Sequence, residues 1–339
     1  VFVNECHTLF GTWVVLLDLF TNGISYLNLV FDLKDVPARL FPYVGILKAA
    51  LMMVDTEHFS YGELFNEVNI HTGGIKTVVN TYTNANDLKK YKVTLEIRSK
   101  ALYEKRDKAM ELMKEILLTS QFDDTKRLYE ILAETKSRMQ AVMTGAGHSV
   151  ASIRALSYFS PTAAVSEQIS GIPQYRLLED LLKDFENRKE ELVQNLKELV
   201  QYIFRPENLL VDYTASKDSY PGLEQAVSRL KEELYTGGVS GESFSPEPVK
   251  KNEAFMTAGQ VQYVCRAGNF IDKGLPYTGA LKVLKVMMGY DYLWNQVRVK
   301  GGAYGCMCGF YRNGDGYFVS YRDPNLKKTV DVYEQAAEY

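Results

Sequence analysis

"YLWNQVRVKGGAYGCM" occupies residues 292–307 and reads as a helix that stops at a glycine pair and turns into a strand. The same order recurs in "LFNEVNIHTGGIKTVV" at 64–79. Both copies place an Asn two residues before a Val (Asn66 and Val68, Asn295 and Val297). Both place an imidazole or a guanidinium shortly before the glycines, His71 in the first and Arg298 in the second. A helix ended by glycine and followed at once by a strand buries its apolar stripe on the sheet that the strand joins. Two copies in one chain predict duplicated domains, each with helices on one face of a sheet. The fold class is α+β.

Around the first copy, Ser60 and Glu63 form a capping box that starts the helix. "IKTVVNTYT" (75–83), "KYKVTLEIRSKAL" (90–102) and "ISYLNLVFDL" (24–33) read as strands, rich in branched and aromatic residues. Helices are expected from about Leu40 to 54, with Pro37 near the start, and over 104–118. Around the second copy, 207–216 and 259–270 read as strands, and 222–235 and 277–299 as helices, the latter interrupted near Gly289. Residues 302–323 form a hairpin with Asn313-Gly314 and Asp315-Gly316 as turn signals. Two long helical patterns, 125–143 and 176–204, lie between the copies, and the second has one apolar stripe without a sustained heptad. The expected organisation is a first α+β domain over 1–120, a helical connector over 121–205 packing on it, and a second α+β domain over 206–339.

Several function classes are excluded. The formal net charge of −3 asks for neither nucleic acid nor an anionic membrane surface. The longest apolar run, 9–20, is broken by Asp18 and too short for a bilayer. Cys6, Cys265, Cys306 and Cys308 make no disulfide framework, which suits a reducing compartment. The four histidines, His7, His58, His71 and His148, form neither H-E-x-x-H nor H-x-x-E-H. No G-x-S-x-G elbow and no P-loop ending is present. "DTEHF" (55–59) reads as a surface loop, "CMC" (306–308) as packed thiols on one side of a strand, and "GAGHS" (145–149) as a helix entry or tight packing contact. The first residue is not Met and the last stretch is a helix begun and cut short, so a piece of a longer protein is expected.

Arg298 and Tyr304 flank the second glycine pair and admit two readings. In one, both point into a cleft, a guanidinium and a phenol presented to a carbonyl or an oxyanion. In the other, Arg298 complements a helix end and Tyr304 fills a sheet face.

The long stretches "GHSVASIRALSYFSPTAAVSEQISGI" (147–172), "LLKDFENRKEELVQNLKELVQYIFRPENLLVDYT" (181–214) and "YLWNQVRVKGGAYG" (292–305) together resemble the C-terminal half of the pitrilysin/insulinase-type zinc metallopeptidases, in their presequence-protease-like branch. The resemblance implies the pitrilysin-type metallohydrolase fold, two similar α+β domains each an antiparallel sheet with helices packed on it, and two halves that close like a clamshell on unstructured peptides. It implies zinc bound by the N-terminal half and no metal in this chain. In a loose match to the zinc helix, the ligand-like places fall near Lys48, Leu51 and Met52, a trio that makes no zinc site. It also implies that Arg298 positions the substrate carbonyl and that Tyr304 assists the oxyanion. The expected partners are the N-terminal catalytic half of the same polypeptide and peptide substrates. Neither nucleic acid nor membrane is among them, and a homodimer of this piece is expected to be an artefact of the cut. The expected compartment is a bacterial cytoplasm, with an organelle matrix as the alternative. A non-catalytic pitrilysin-like structural or peptide-binding subunit is the competing reading.

Overall fold

The computed structural model describes residues 4–9, 11–88, 90–239, 242–257 and 259–339. In chain order these form β1 (Asn4–Leu9), β2 (Thr12–Asp18), β3 (Ile24–Asp32), α1 (Val44–Ala50), α2 (Tyr61–His71), β4 (Ile75–Thr83), β5 (Tyr91–Leu102) and α3 (Arg106–Leu118). A helical middle follows: α4 (Thr125–Gly145), α5 (Gly147–Leu156), α6 (Pro161–Ser170), α7 (Ile172–Lys183) and α8 (Phe185–Ile203). The chain then makes β6 (Leu209–Ala215), α9 (Leu223–Glu233), β7 (Cys265–Asn269), α10 (Ala280–Met287), a π-wound helix Met288–Val299, β8 (Gly305–Phe310), β9 (Asp315–Tyr321) and α11 (Lys327–Glu334).

The chain divides into two compact units. The first comprises residues up to Tyr82, Lys92–Thr135 and Leu178–Phe244; the second comprises Thr83–Tyr91, Lys136–Leu177 and Ser245–Tyr339. This differs from the linear division 1–120, 121–205 and 206–339. The physical reason is β6, whose residues Leu209, Val211, Tyr213 and Ala215 are all buried. These alternate residues share one face and pack on the core, and β6 lies between β2 and β3 in the order β1-β2-β6-β3-β5-β4. It pairs parallel with β2, Trp13 opposite Leu210, and antiparallel with β3, Leu29 opposite Val211. The connector is also shared: α8 belongs to the first unit, α5 and α6 to the second.

In the first unit, the helix-covered face of the sheet carries Leu29, Phe31, Leu95, Ile97, Val211 and Tyr213, all fully buried. Phe31 meets Phe204 edge-on, with ring centroids 5.0 Å apart. The capping box on α2 forms as expected, Ser60 accepting from the Glu63 backbone and Glu63 from Ser60. The opposite face of the sheet buries a carboxylate, Glu96, completely. It accepts from Tyr82 at 2.7 Å, Thr94 at 2.8 Å, Asn80 at 3.0 Å, Asn28 at 3.1 Å and Arg98 Nε at 2.9 Å. Burial alone would raise its pKa, but the donors Asn80, Tyr82, Arg98 and Thr94 outweigh that and hold it at about 2.

The helical pattern expected over 176–204 is interrupted at Asp184, whose backbone leaves the helical region (φ −123°, ψ 36°) between α7 and α8. Its carboxylate accepts from the Asn187 side chain at 2.6 Å, across the first turn of α8.

The second unit has a three-stranded antiparallel sheet, β7-β9-β8. Its core gathers Val264, Leu293, Val297, Cys306, Cys308 and Tyr333. The expected strand over 259–270 shortens to β7, preceded by a single bridge between Gln262 and Asp323. The hairpin turns at Gly314 (φ 89°). Helix 280–299 is not broken at Gly289; it changes winding at Met288. "GAGHS" enters α5 through a close approach: a Cβ on Gly147 would stand 2.3 Å from the Tyr263 ring. His148 packs edge-on against Tyr321, with ring centroids 5.0 Å apart.

Candidate functional site

The π-wound helix presents Tyr292, Leu293 and Val297 to the core of the second unit and runs into the glycine pair. Its wide winding persists to the end, where the Lys300 N–H reaches Asn295 O at 3.0 Å, five residues back. Gly302 then takes a left-handed conformation (φ 83°) and its N–H returns to Arg298 O at 2.8 Å, while the Ala303 N–H returns to Val297 O at 3.1 Å. A left-handed glycine with backward N–H bonds is the usual way to satisfy the last carbonyls of a helix. Gly301 is required for a different reason: a Cβ there would lie 2.3 Å from Val297 O. The turn is tied from outside by Asn325 Nδ2 donating to Gly301 O at 2.6 Å and by Lys328 Nζ donating to Lys300 O at 3.2 Å.

On this turn Arg298 and Tyr304 are neighbours. Arg298 Nη1 donates to the backbone carbonyl of Tyr304, and the Tyr304 N–H donates to Tyr321 O at 2.9 Å as the chain enters β8. The guanidinium also lies over the indole of Trp294, 4.2 Å from the ring centroid. It is held on two sides, by a carbonyl and by an aromatic face, and a guanidinium carries five N–H donors. The Tyr304 side chain is 68% exposed, so it fills no sheet face. Trp294 is the residue that sequence reasoning missed. Its signal was present in the spacing, a Trp four residues before an Arg on a helix.

The remaining candidates fall elsewhere. Lys48 lies on α1 beside buried Leu51, and Met52 follows in a left-handed conformation (φ 72°). "DTEHF" is a loop in which His58 Nδ1 meets Glu115 at 3.0 Å. Cys306 and Cys308 are buried, and burial pushes the Cys306 thiol up to about 12. Cys306 Sγ lies 3.6 Å from the Tyr333 hydroxyl. Among the described residues no group of three or more His, Cys, Asp or Glu side chains is arranged to hold a metal ion. The side chains described here therefore do not fit zinc.

Residues 4–181, more than half of the chain, match the family described as associated with peptidase M16, subfamily C. The chain belongs to that family. Residues 252–339 match a second family, the PreP C-terminal domain. Within this group the chain is similar to protein HypA of Clostridium perfringens, 38% identical over 322 residues that cover 95% of this chain and 33% of that protein. It is similar also to presequence protease 1, chloroplastic/mitochondrial, of Arabidopsis thaliana, 30% identical over 99% of this chain and 31% of the relative. The chain thus spans about a third of the length of these curated relatives and is a C-terminal half of the subfamily C type. Among solved structures, the peptidase M16 inactive domain from Pseudomonas fluorescens shares the fold with a TM-score of 0.65 at 16% identity, covering 99% of this chain and 79% of that one. A protease from Helicobacter pylori does so with a TM-score of 0.61 at 16% identity, over 99% and 80%. At such identities these two show the α+β fold alone. No described helix is long and apolar enough to cross a membrane.

Proposed function

We propose that this chain is the non-zinc-binding half of a zinc-dependent peptidase that encloses unstructured peptides, and that Arg298 and Tyr304 orient the substrate. The observation that carries the reading is the joint presentation of the two side chains. One turn carries both: a guanidinium held by Trp294 and by the Tyr304 carbonyl, and a Tyr304 side chain that is exposed to solvent. Neither group is used up in a hydrophobic core. A guanidinium already fixed in orientation loses little freedom on gripping a peptide carbonyl. A phenolic O–H from the same turn can donate to that oxygen as negative charge develops. The metal of such a peptidase is assigned to the other half of the polypeptide, and this chain contributes orientation and enclosure.

The test uses the full-length polypeptide. Tyr304→Phe is expected to lower kcat/KM by about 10²–10³, the usual loss for one oxyanion donor, while metal content and Tm stay at the parent values. Parent-like kinetics in the variant would remove Tyr304 from the site.

A further inference from the structure

The segment "KKNEAF" (Lys250–Phe255) in the second unit forms neither helix nor strand, yet it is docked through specific side chains. Glu253 accepts from Arg154 three times, from Nε at 3.0 Å and from Nη2 at 2.8 and 3.1 Å, and also from the Tyr158 hydroxyl. Two residues on, the Phe255 ring lies 5.6 Å from the Arg154 guanidinium and 5.8 Å from that of Arg176 on α7. The Glu253 carboxylate and the Phe255 ring thus meet the same guanidinium from one segment, the ring lying against it while 43% exposed. The next residue, Met256, is fully exposed.

The receiving surface is fixed from beneath. Arg154 Nη1 also approaches Glu167 at 3.4 Å, a carboxylate of α6 that is only 2% exposed. Glu167 Oε1 accepts from the Ile172 N–H at 3.2 Å. Gly171 makes room for it, since a Cβ there would stand 2.0 Å from Glu167 Oε2. The inner acid keeps the guanidinium in place, and its outer edge is left for a second carboxylate. A planar fork facing a carboxylate, with cationic faces for an adjacent ring, is recognition chemistry.

We propose that Arg154, Tyr158 and Arg176 form a binding site for a peptide of acidic-x-aromatic sequence, filled in this chain by its own Glu253-Ala254-Phe255. A tethered segment occupies its site at an effective concentration of order millimolar. Free peptide at micromolar levels therefore does not displace it, and the site opens to outside peptides only when the strap is released.

The experiment compares the parent chain with the Glu253→Ala/Phe255→Ala double variant. Limited trypsin cleavage after Lys250 and Lys251 reads strap release, and fluorescence anisotropy reads binding of a labelled KKNEAF peptide. The double variant is expected to be cut at least about tenfold faster in the strap and to bind the peptide at least about tenfold more tightly than the parent. A KKNQAF peptide, or addition of Arg154→Met, is expected to abolish that binding. Unchanged strap cleavage would overturn the proposal. So would a released strap with no peptide binding, or equal binding of the KKNQAF control. Glu253→Gln alone, the mildest change, is expected to speed strap cleavage without altering Tm, which separates strap release from unfolding.

Discussion

At Gly73–Gly74 the chain leaves α2 and enters β4; at Gly301–Gly302 it leaves a π-wound helix and enters β8. Both strands lie at the edge of their sheets. In the first turn the residue three before the pair is Ile70 and the residue two after it is Lys76; in the second these places hold Arg298 and Tyr304. The first glycine of each pair also faces different matter. A Cβ on Gly73 would meet the side chain of Lys100, 2.7 Å from Cε, whereas one on Gly301 would meet its own helix's carbonyl. The plan of helix, turn and strand is therefore independent of any donor pair. The second turn adds donors to that plan, at the cost of backbone packing that tolerates no side chain.

Gly301→Ala tests the strictest part of that contrast. Moving a backbone carbonyl requires unwinding the last helical turn, so a loss of about 3 kcal/mol or more is expected by urea unfolding. A loss under about 1 kcal/mol would mean that the π-wound end yields easily and that the two turns are equivalent.

The strands beyond the turns sharpen the comparison through acid response. Glu96 on β5 is held at about 2 against an ordinary 4.5. Its folded pKa is depressed, so its stabilisation is present above the ordinary value and is lost as pH falls through the folded one. The shift corresponds to about 3 kcal/mol at neutral pH. Glu167 in the second unit has the opposite sign, because burial raises its pKa and its ionisation opposes folding. Glu96→Gln is expected to lower stability at neutral pH and to flatten the acid limb of a urea-unfolding series between about pH 6 and pH 2. An unchanged acid limb would assign acid sensitivity to other groups.

The smallest effect is expected at Gly73→Ala. The obstructing atoms are Lys100 Cε at 2.7 Å and Cγ at 2.8 Å, which a rotamer change of that lysine clears without moving backbone, and the position lacks a left-handed φ, so a loss of about 1 kcal/mol is expected. A loss matching that of Gly301→Ala would erase the distinction between the turns.

Much of this was readable from local signals. The Ser60–Glu63 capping box was legible because both partners sit within one turn of chain. The hairpin at 302–323 was legible because Asn313-Gly314 permits few conformations. The glycine-pair turns were legible because they repeat. The placement of β6 was not, since Leu29 and Val14 become its neighbours only through pairings far apart in sequence. Nor was the Asp184 break, because the apolar stripe continues across it and hides one non-helical residue. Arg298 and Tyr304 were legible as candidates from the turn and the family resemblance. Trp294 was passed over because an aromatic at helical spacing reads first as core.

The place of β6 has a consequence for biosynthesis. A ribosome that has released β1 to β5 has delivered a sheet with a gap between Trp13 and Leu29, and the strand that fills it emerges only after the whole helical middle. The nascent N-terminal strands must wait with unpaired edges. Such non-local closure is slow and invites association with other chains, so co-translational chaperone dependence is expected in the interval between synthesis of β5 and of β6.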